Sequence, residues 1–148
     1  MESRAGTLEI SAANLYEIND EWASVAYFYA AYHLARAAIQ RDPIFDSLTL
    51  LGRKAPSLQQ NDRDAHRHKG RVGEGTAGRM RDPGVTDIVA TLYSQSISAD
   101  YRKLFQYSLD VRYKSGIEWT DCERASETYA RFRQAYDDGR LSTESEKP

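Results

Sequence analysis

The residues best suited to chemistry lie in one short basic stretch near the middle of the chain. Arg63, Asp64, His66 and His68 fall within six residues of one another. A histidine whose pKa lies near neutrality can move the proton of a ribose 2′-hydroxyl, and a neighbouring arginine can stabilise the extra charge on the phosphate. The stretch therefore contains the residue types for metal-independent RNA cleavage. A solvated basic loop would have the same composition, so both interpretations stay open.

The same stretch offers little to a metal ion or a cofactor. His66 and His68 could ligate a metal, but no third ligand is evident near them. Residues 73–78 match the pattern G-x-G-x-x-G, yet a dinucleotide site needs a strand before those glycines and a helix after them. Here a basic run precedes the glycines and Pro83 follows them. We therefore predict no metal and no cofactor.

The positive charge of the chain is concentrated around these residues. Between Arg53 and Arg81, eight lysines or arginines stand against three acids, a local net charge of about +5, whereas the whole chain carries −2. Any nucleic-acid binding must therefore come from a local patch. Residues 43–83 contain several glycines and little periodicity, which predicts a long irregular loop with one helical turn at residues 44–51.

A long helix is predicted before this loop, over residues 11–41. Large apolar residues recur there at three- and four-residue steps, and alanines lie between them. Asn19 and Asp20 form a capping pair that could divide this helix into a short and a long part. Pro43 ends it, because the residue before a proline is driven out of helical geometry.

Two further helices are predicted after the loop. The first begins at Pro83, with Asp82 as its cap, and runs to about Tyr113. The second follows a capping box at Thr120 and ends near Gly139. Since no apolar run alternates, we predict no sheet and an all-α fold.

No segment is predicted to enter a membrane or to direct export. The most apolar run covers residues 23–32, about half of the roughly 20 residues that span a bilayer. Residues 1–6 lack the apolar stretch of a signal peptide, and the single cysteine, Cys122, favours a reducing compartment. We expect a cytoplasmic protein with one domain, residues 1–140, that includes the irregular basic loop at about 43–83. A flexible tail, residues 141–148, would follow it.

Three segments together resemble one family. Residues 22–34 resemble the first core helix of HEPN domains, and residues 101–113 resemble the segment of that family that ends in Arg-Tyr. The last helix also falls where the family has one, so the resemblance extends over about residues 21–136. It implies an up-and-down bundle of four to five helices, usually a homodimer with a groove between its protomers.

The resemblance also implies an activity, because many HEPN proteins are metal-independent ribonucleases of toxin–antitoxin, CRISPR and antiphage systems. Those enzymes use an Arg-x4–6-His motif, which residues 63–68 match. By this similarity, Arg63 would bind the scissile phosphate, His68 would act as the acid and base, and Asp64 would orient them. The motif normally lies beside a helix late in the bundle, whereas here it follows the first helix.

HEPN proteins with an Arg-Tyr ending and a central histidine often lack the nuclease motif. They resemble nucleotide-binding or accessory subunits, commonly paired with a nucleotidyltransferase. The resemblance then implies a groove that binds RNA, a nucleotide or a partner protein without chemistry, and a third hypothesis is a plain protein-interaction bundle. The expected binding residues are Tyr32, His33, His66, Arg71, Arg112 and Tyr113.

Overall fold

The computed structural model describes residues 2–72, 80–114 and 117–144, and it is helical almost throughout these ranges. Two short 3-10 helices, Pro43–Asp46 and Gln60–Asp64, accompany the α-helices. A small antiparallel ladder joins β1 (Arg71–Val72) to β2 (Met80–Asp82). The described ranges contain six α-helices, rather than four or five: α1 (Glu2–Glu17), α2 (Ala23–Arg41), α3 (Leu48–Lys54), α4 (Val85–Leu92), α5 (Gln95–Tyr113) and α6 (Trp119–Asp137). None of these helices is long and apolar enough to cross a membrane.

Helix α2 is the centre of the fold. It packs against α1, α4, α5 and α6, and 14 of its 19 residues are buried. All seven of its alanines are among them, so small side chains let the neighbouring helices come close on several sides. Its large residues fill the space between those helices; Phe28 is fully buried and its ring stacks on Phe105 of α5 at 5.0 Å.

The predicted break before α2 is confirmed, and the helix preceding it begins earlier than expected. Helix α1 starts at Glu2 rather than near residue 11. Asn19 adopts a left-handed conformation with φ of 57°, which asparagine tolerates better than most residues. The Asp20 carboxylate then accepts a hydrogen bond from the Trp22 amide at 3.0 Å. The chain therefore reverses between Glu17 and Ala23, and α1 lies along α2.

Residues 43–72 contain more regular structure than the predicted irregular loop. Asp42 and Ser47 each accept a hydrogen bond from a backbone amide that begins the following helical turn, from Ile44 at 3.0 Å and from Leu50 at 3.2 Å. In place of the single helical turn predicted at residues 44–51, the structure has two elements, the 3-10 helix Pro43–Asp46 and α3, separated by the extended Ser47. The β1–β2 ladder is a further departure, since no strand was predicted. The glycine pattern at residues 73–78 lies outside the described residues.

The helix predicted from Pro83 to Tyr113 is divided in two. Ser94 caps the start of α5, and its side chain accepts a hydrogen bond from the Ile97 amide at 3.5 Å. Helix α4 begins at Val85 with Gly84 as its cap, rather than Asp82. At the last helix, the capping box predicted at Thr120 is absent, because α6 already begins at Trp119.

The C-terminal end of α6 was predicted correctly, but the segment after it is more ordered than expected. Gly139 has a positive φ of 74° and terminates the helix. Leu141 is buried, and the Thr143 amide donates to the Asp42 carboxylate at 2.9 Å. Residues 141–143 therefore pack onto the end of α2, where the sequence predicted a flexible tail.

Candidate functional site

The groove that best combines the predicted binding residues lies between α1, α2 and residues 66–68. Its volume is about 880 Å³. We call it the α1–α2 groove, and none of the described residues that line it is acidic. These residues are Ser3, Arg4, Thr7 and Leu8 of α1, Tyr29, Tyr32, His33 and Arg36 of α2, and His66 and His68.

One face of α2 supplies the wall with the most functional groups. Tyr29, His33 and Arg36 follow one another at steps of four and three residues, so that their side chains project from the same side of the helix. The Arg36 guanidinium lies 5.6 Å from the centre of the Tyr32 ring, at cation–π distance. Tyr32 and His33 were expected from the sequence, whereas Arg36 was not, although its spacing from Tyr29 and His33 could have identified it.

His68 is held in a cage of aromatic rings. Its ring centre lies 4.7 Å from that of Tyr32, 5.3 Å from Phe28 and 5.5 Å from Tyr29, all near edge-to-face. Phe105 closes the cage at 5.7 Å. Such contacts fix the position of the imidazole without hydrogen-bonding it.

The backbone that carries His68 is anchored by the start of α4. The Val85 amide donates to the Arg67 carbonyl at 2.7 Å, so a helix-terminal amide that has no partner inside α4 is satisfied by this segment. The Asp87 carboxylate accepts from the amides of Gly70 and Gly84, at 3.0 and 2.9 Å. The Tyr32 hydroxyl, in turn, donates to the His66 carbonyl. Residues 66–70 are thereby tied to both α2 and α4.

Two of the three histidines that line the groove, His33 and His68, are biased toward the neutral form. Burial lowers the pKa of His68, and the positive charge of Arg112 lowers it further. Burial also lowers the pKa of His33, with Arg4 and Arg36 acting in the same direction. In each ring Nδ1 is buried without a hydrogen-bond partner among the described residues. A proton on Nδ1 would have no acceptor, which favours the neutral tautomer protonated at Nε2.

Acid is expected to destabilise the fold through these two groups. Their pKa values are lowered from 6.5 in the folded chain, so below about pH 6.5 the unfolded chain binds more protons and stability falls as the pH falls. We expect a lower melting temperature at about pH 5.5 than at about pH 7.5, and His68→Gln should reduce the difference. His66→Gln is the control, because the His66 side chain is exposed. An equal reduction by both substitutions would contradict this assignment.

Arg112 lies behind the groove and braces one of its tyrosines. Its guanidinium donates to the Tyr29 hydroxyl at 3.0 Å and lies 5.6 Å from the centre of that ring. It also lies over the ring of Tyr113 at 5.2 Å, and Tyr113 itself is 74% exposed. Arg112 and Tyr113, both predicted to bind a ligand, therefore do not line the groove. Arg112 contacts the groove residue Tyr29, and Tyr113 contacts Arg112. The side chain of Arg71 lies outside the described residues.

The structure does not bring together the three residues predicted to be catalytic. Arg63 donates to the Asp46 carboxylate at 2.7 Å and to the Asp42 carbonyl at 3.1 Å, which engages it with the first 3-10 helix. It does not line the α1–α2 groove, where His68 lies. Asp64 is exposed and borders a separate depression of about 230 Å³. The arrangement gives Arg63 a role in packing residues 42–46 against residues 60–64.

Arg4 is a second residue of the groove that sequence reasoning missed. It lies in the first turns of α1, a stretch whose helical pattern was not recognised, and it lines the same groove as Arg36. Only the packing of α1 along α2 brings it near His33, so no local signal could have indicated it. Within the ranges that the structure describes, no three His, Cys, Asp or Glu side chains are placed to hold a metal ion.

The chain matches no known family, no curated protein and no solved structure with which it was compared.

Proposed function

We propose that this chain is a HEPN-like accessory domain that binds the phosphate of RNA or of a nucleotide in the α1–α2 groove, without cleaving it. The observation that carries the proposal is the lining of the groove. Two arginines and three histidines border it, while none of the described lining residues is acidic. A cavity with this composition attracts an anion that offers many hydrogen-bond acceptors.

The two arginines are the groups best suited to the phosphate. Arg4 and Arg36 project from different helices into one groove, and neither forms an ion pair among the described residues. Guanidinium groups match the geometry of phosphate oxygens and remain charged at every relevant pH. Their positive charges also lower the pKa of His33. The positive charges of Arg4 and Arg36 repel each other, and an anionic ligand bound between them would reduce that repulsion. This favours binding of an anion.

The aromatic side chains support binding of a nucleoside rather than of a bare anion. Tyr29 is partly exposed and His66 is exposed, and both line the groove, so a base could reach their rings there. Tyr32 is buried and its hydroxyl donates to the His66 carbonyl, so its part is to position the segment that carries His66. Base stacking is typically worth about 1–3 kcal/mol per base and tolerates different sequences.

The accessory function is favoured over the ribonuclease because of Arg63. Its guanidinium is engaged with Asp46 and Asp42, away from the groove that His68 lines. The resemblance to HEPN proteins adds the remaining parts of the proposal. These are an up-and-down helical bundle, a homodimer, a role in a prokaryotic defence or toxin–antitoxin system, and a partner such as a nucleotidyltransferase.

Replacing Arg36 is expected to weaken RNA binding strongly. Arg36→Gln removes the charge and leaves a shorter polar side chain, and we expect at least about tenfold lower affinity for a labelled single-stranded RNA. Binding should be measured by fluorescence anisotropy at two salt concentrations with EDTA present. The salt dependence should also become less steep in the variant, since one phosphate contact is lost.

Arg53→Gln serves as the matched control, because Arg53 is exposed on α3 and does not line the groove. Its affinity for RNA should equal that of the wild type. Equal weakening by both substitutions would indicate binding by diffuse charge and contradict the proposal. RNA that is cleaved in EDTA would instead support the ribonuclease, and the Arg63→Gln variant would then test which residues act.

A further inference from the structure

A second cavity lies between α5, α6 and the turn that follows α6. Its volume is about 530 Å³, within the range of sites that hold small molecules. It shares no lining residue with the α1–α2 groove. We call it the α5–α6 cleft, and its lining includes Ile97, Asp100, Lys103, Arg131, Phe132 and Arg140.

The cleft has an apolar floor and a cationic rim. Ile97, Phe132 and Ala135 belong to the hydrophobic core, each less than 5% exposed, and form the floor. Lys103, Arg131 and Arg140 border the cleft, and Lys103 is exposed. Asp100 also lines the cleft, so among its described lining residues three cations stand against one acid, and an added anion would reduce their net repulsion. This combination suits a ligand with a charged head and an apolar body.

The turn after α6 is built to hold Arg140 at this rim. Gly139 takes the left-handed conformation, and the Arg140 amide then donates to the Ala135 carbonyl at 2.9 Å. Leu141 is buried immediately afterwards, and Thr143 hydrogen-bonds to Asp42. The backbone on both sides of Arg140 is therefore held in place, which keeps this residue at the rim of the cleft.

The acids near the cleft leave its positive charge only partly compensated. Arg131 donates to the Asp100 carboxylate at 3.3 Å, and Arg140 lies 3.7 Å from Asp138. Lys103 has no ion-pair partner among the described residues. Ser96 lies in the first turn of α5, where the free amides of a 19-residue helix add positive potential. Within the described ranges Lys103 is therefore unpaired, and Arg140 lies beyond hydrogen-bond distance of Asp138, so both cations can contact a ligand beside this helix terminus.

We propose that the α5–α6 cleft is a second binding site, for a small organic anion whose apolar body lies against Phe132 and Ile97. Its carboxylate or phosphate group contacts Lys103 and Arg140. This site shares no residue with the α1–α2 groove, so the proposal for the cleft does not depend on the proposal for the groove. A small carboxylic acid and a phosphate monoester share the chemistry that the cleft recognises.

The test is an NMR titration of the ¹⁵N-labelled chain carrying Arg36→Gln, which removes a principal cation of the groove. The probes are phenyl phosphate, benzoate and inorganic phosphate. We expect phenyl phosphate or benzoate to shift the amides of Ser96, Ile97 and Arg140, with at least about tenfold higher affinity than inorganic phosphate. Lys103→Gln should weaken that binding about fivefold or more.

Arg102→Gln is the matched control, since Arg102 is the exposed neighbour of Lys103 on α5 and does not line the cleft. It should leave the affinity unchanged. The proposal is overturned if neither organic anion shifts these amides or if inorganic phosphate binds equally well. Equal weakening by Arg102→Gln and Lys103→Gln would overturn it as well.

Discussion

Replacing Gly84 with alanine is expected to lower the melting temperature by roughly 5–10 °C and to weaken binding at the α1–α2 groove. A Cβ atom at residue 84 would lie 2.5 Å from the Lys69 carbonyl carbon, 2.6 Å from the His68 carbonyl oxygen and 2.7 Å from the Gly70 amide nitrogen. All three are backbone atoms, so no side chain can rotate away. The substitution must therefore displace the segment that carries His68 from α4.

Gly52→Ala is the control for this prediction. A Cβ atom at residue 52 meets nothing within 4 Å, and the residue lies inside α3, where alanine is favoured over glycine by about 1 kcal/mol. Thermal unfolding followed by circular dichroism should show a small increase in the melting temperature for Gly52→Ala and a clear decrease for Gly84→Ala. An unchanged melting temperature for Gly84→Ala would contradict the docking of residues 68–70 against α4.

Truncating Phe28 is expected to have the largest effect on stability. Its ring is fully buried, stacks on Phe105, and contacts His68 and Tyr101 at centre distances of 5.3 and 5.7 Å. Phe28→Ala removes the centre of this cluster and should reduce the free energy of unfolding by about 3–5 kcal/mol. Because the ring is also part of the cage around His68, RNA affinity should fall in the same variant.

Two further variants keep this prediction testable if Phe28→Ala does not fold. Phe28→Leu retains most of the volume and should cost about 1–1.5 kcal/mol, measured by urea denaturation. Tyr113→Ala removes an aromatic ring that is mostly exposed and should change the free energy of unfolding by less than about 0.5 kcal/mol. Equal losses for the leucine variant and for Tyr113→Ala would show that Phe28 does not organise the core.

The sequence predicted the helices whose signal is local. The apolar and alanine pattern of α2, the break at Asn19 and the stop at Gly139 are all properties of neighbouring residues, and the structure confirms them. The path of residues 65–72, by contrast, could not be predicted from neighbouring residues. It depends on free amides at the start of α4 and on the absence of a side chain at Gly84, which are contacts between segments distant in sequence.

The residues of the candidate site likewise divide into those that residue type identifies and those that only the fold identifies. Tyr32, His33, His66 and His68 were selected from their residue types, and the structure places all four at one groove. Arg63 was selected because of its spacing to His68, but spacing carries no information on which acid pairs with it. The ion pair with Asp46 comes from the turn that Pro43–Asp46 forms, so only the fold could show that Arg63 is engaged there.

The most direct test of the central claim is to map a short single-stranded RNA onto the chain by NMR. Amide and side-chain signals of Arg4, His33, Arg36 and His66 should shift together on titration, with the imidazole signals of His33 moving as the phosphate raises its pKa. Intact RNA at the end of the experiment should accompany these shifts. Shifts confined to other surfaces, or none at a concentration that saturates basic RNA-binding domains, would contradict binding in the α1–α2 groove.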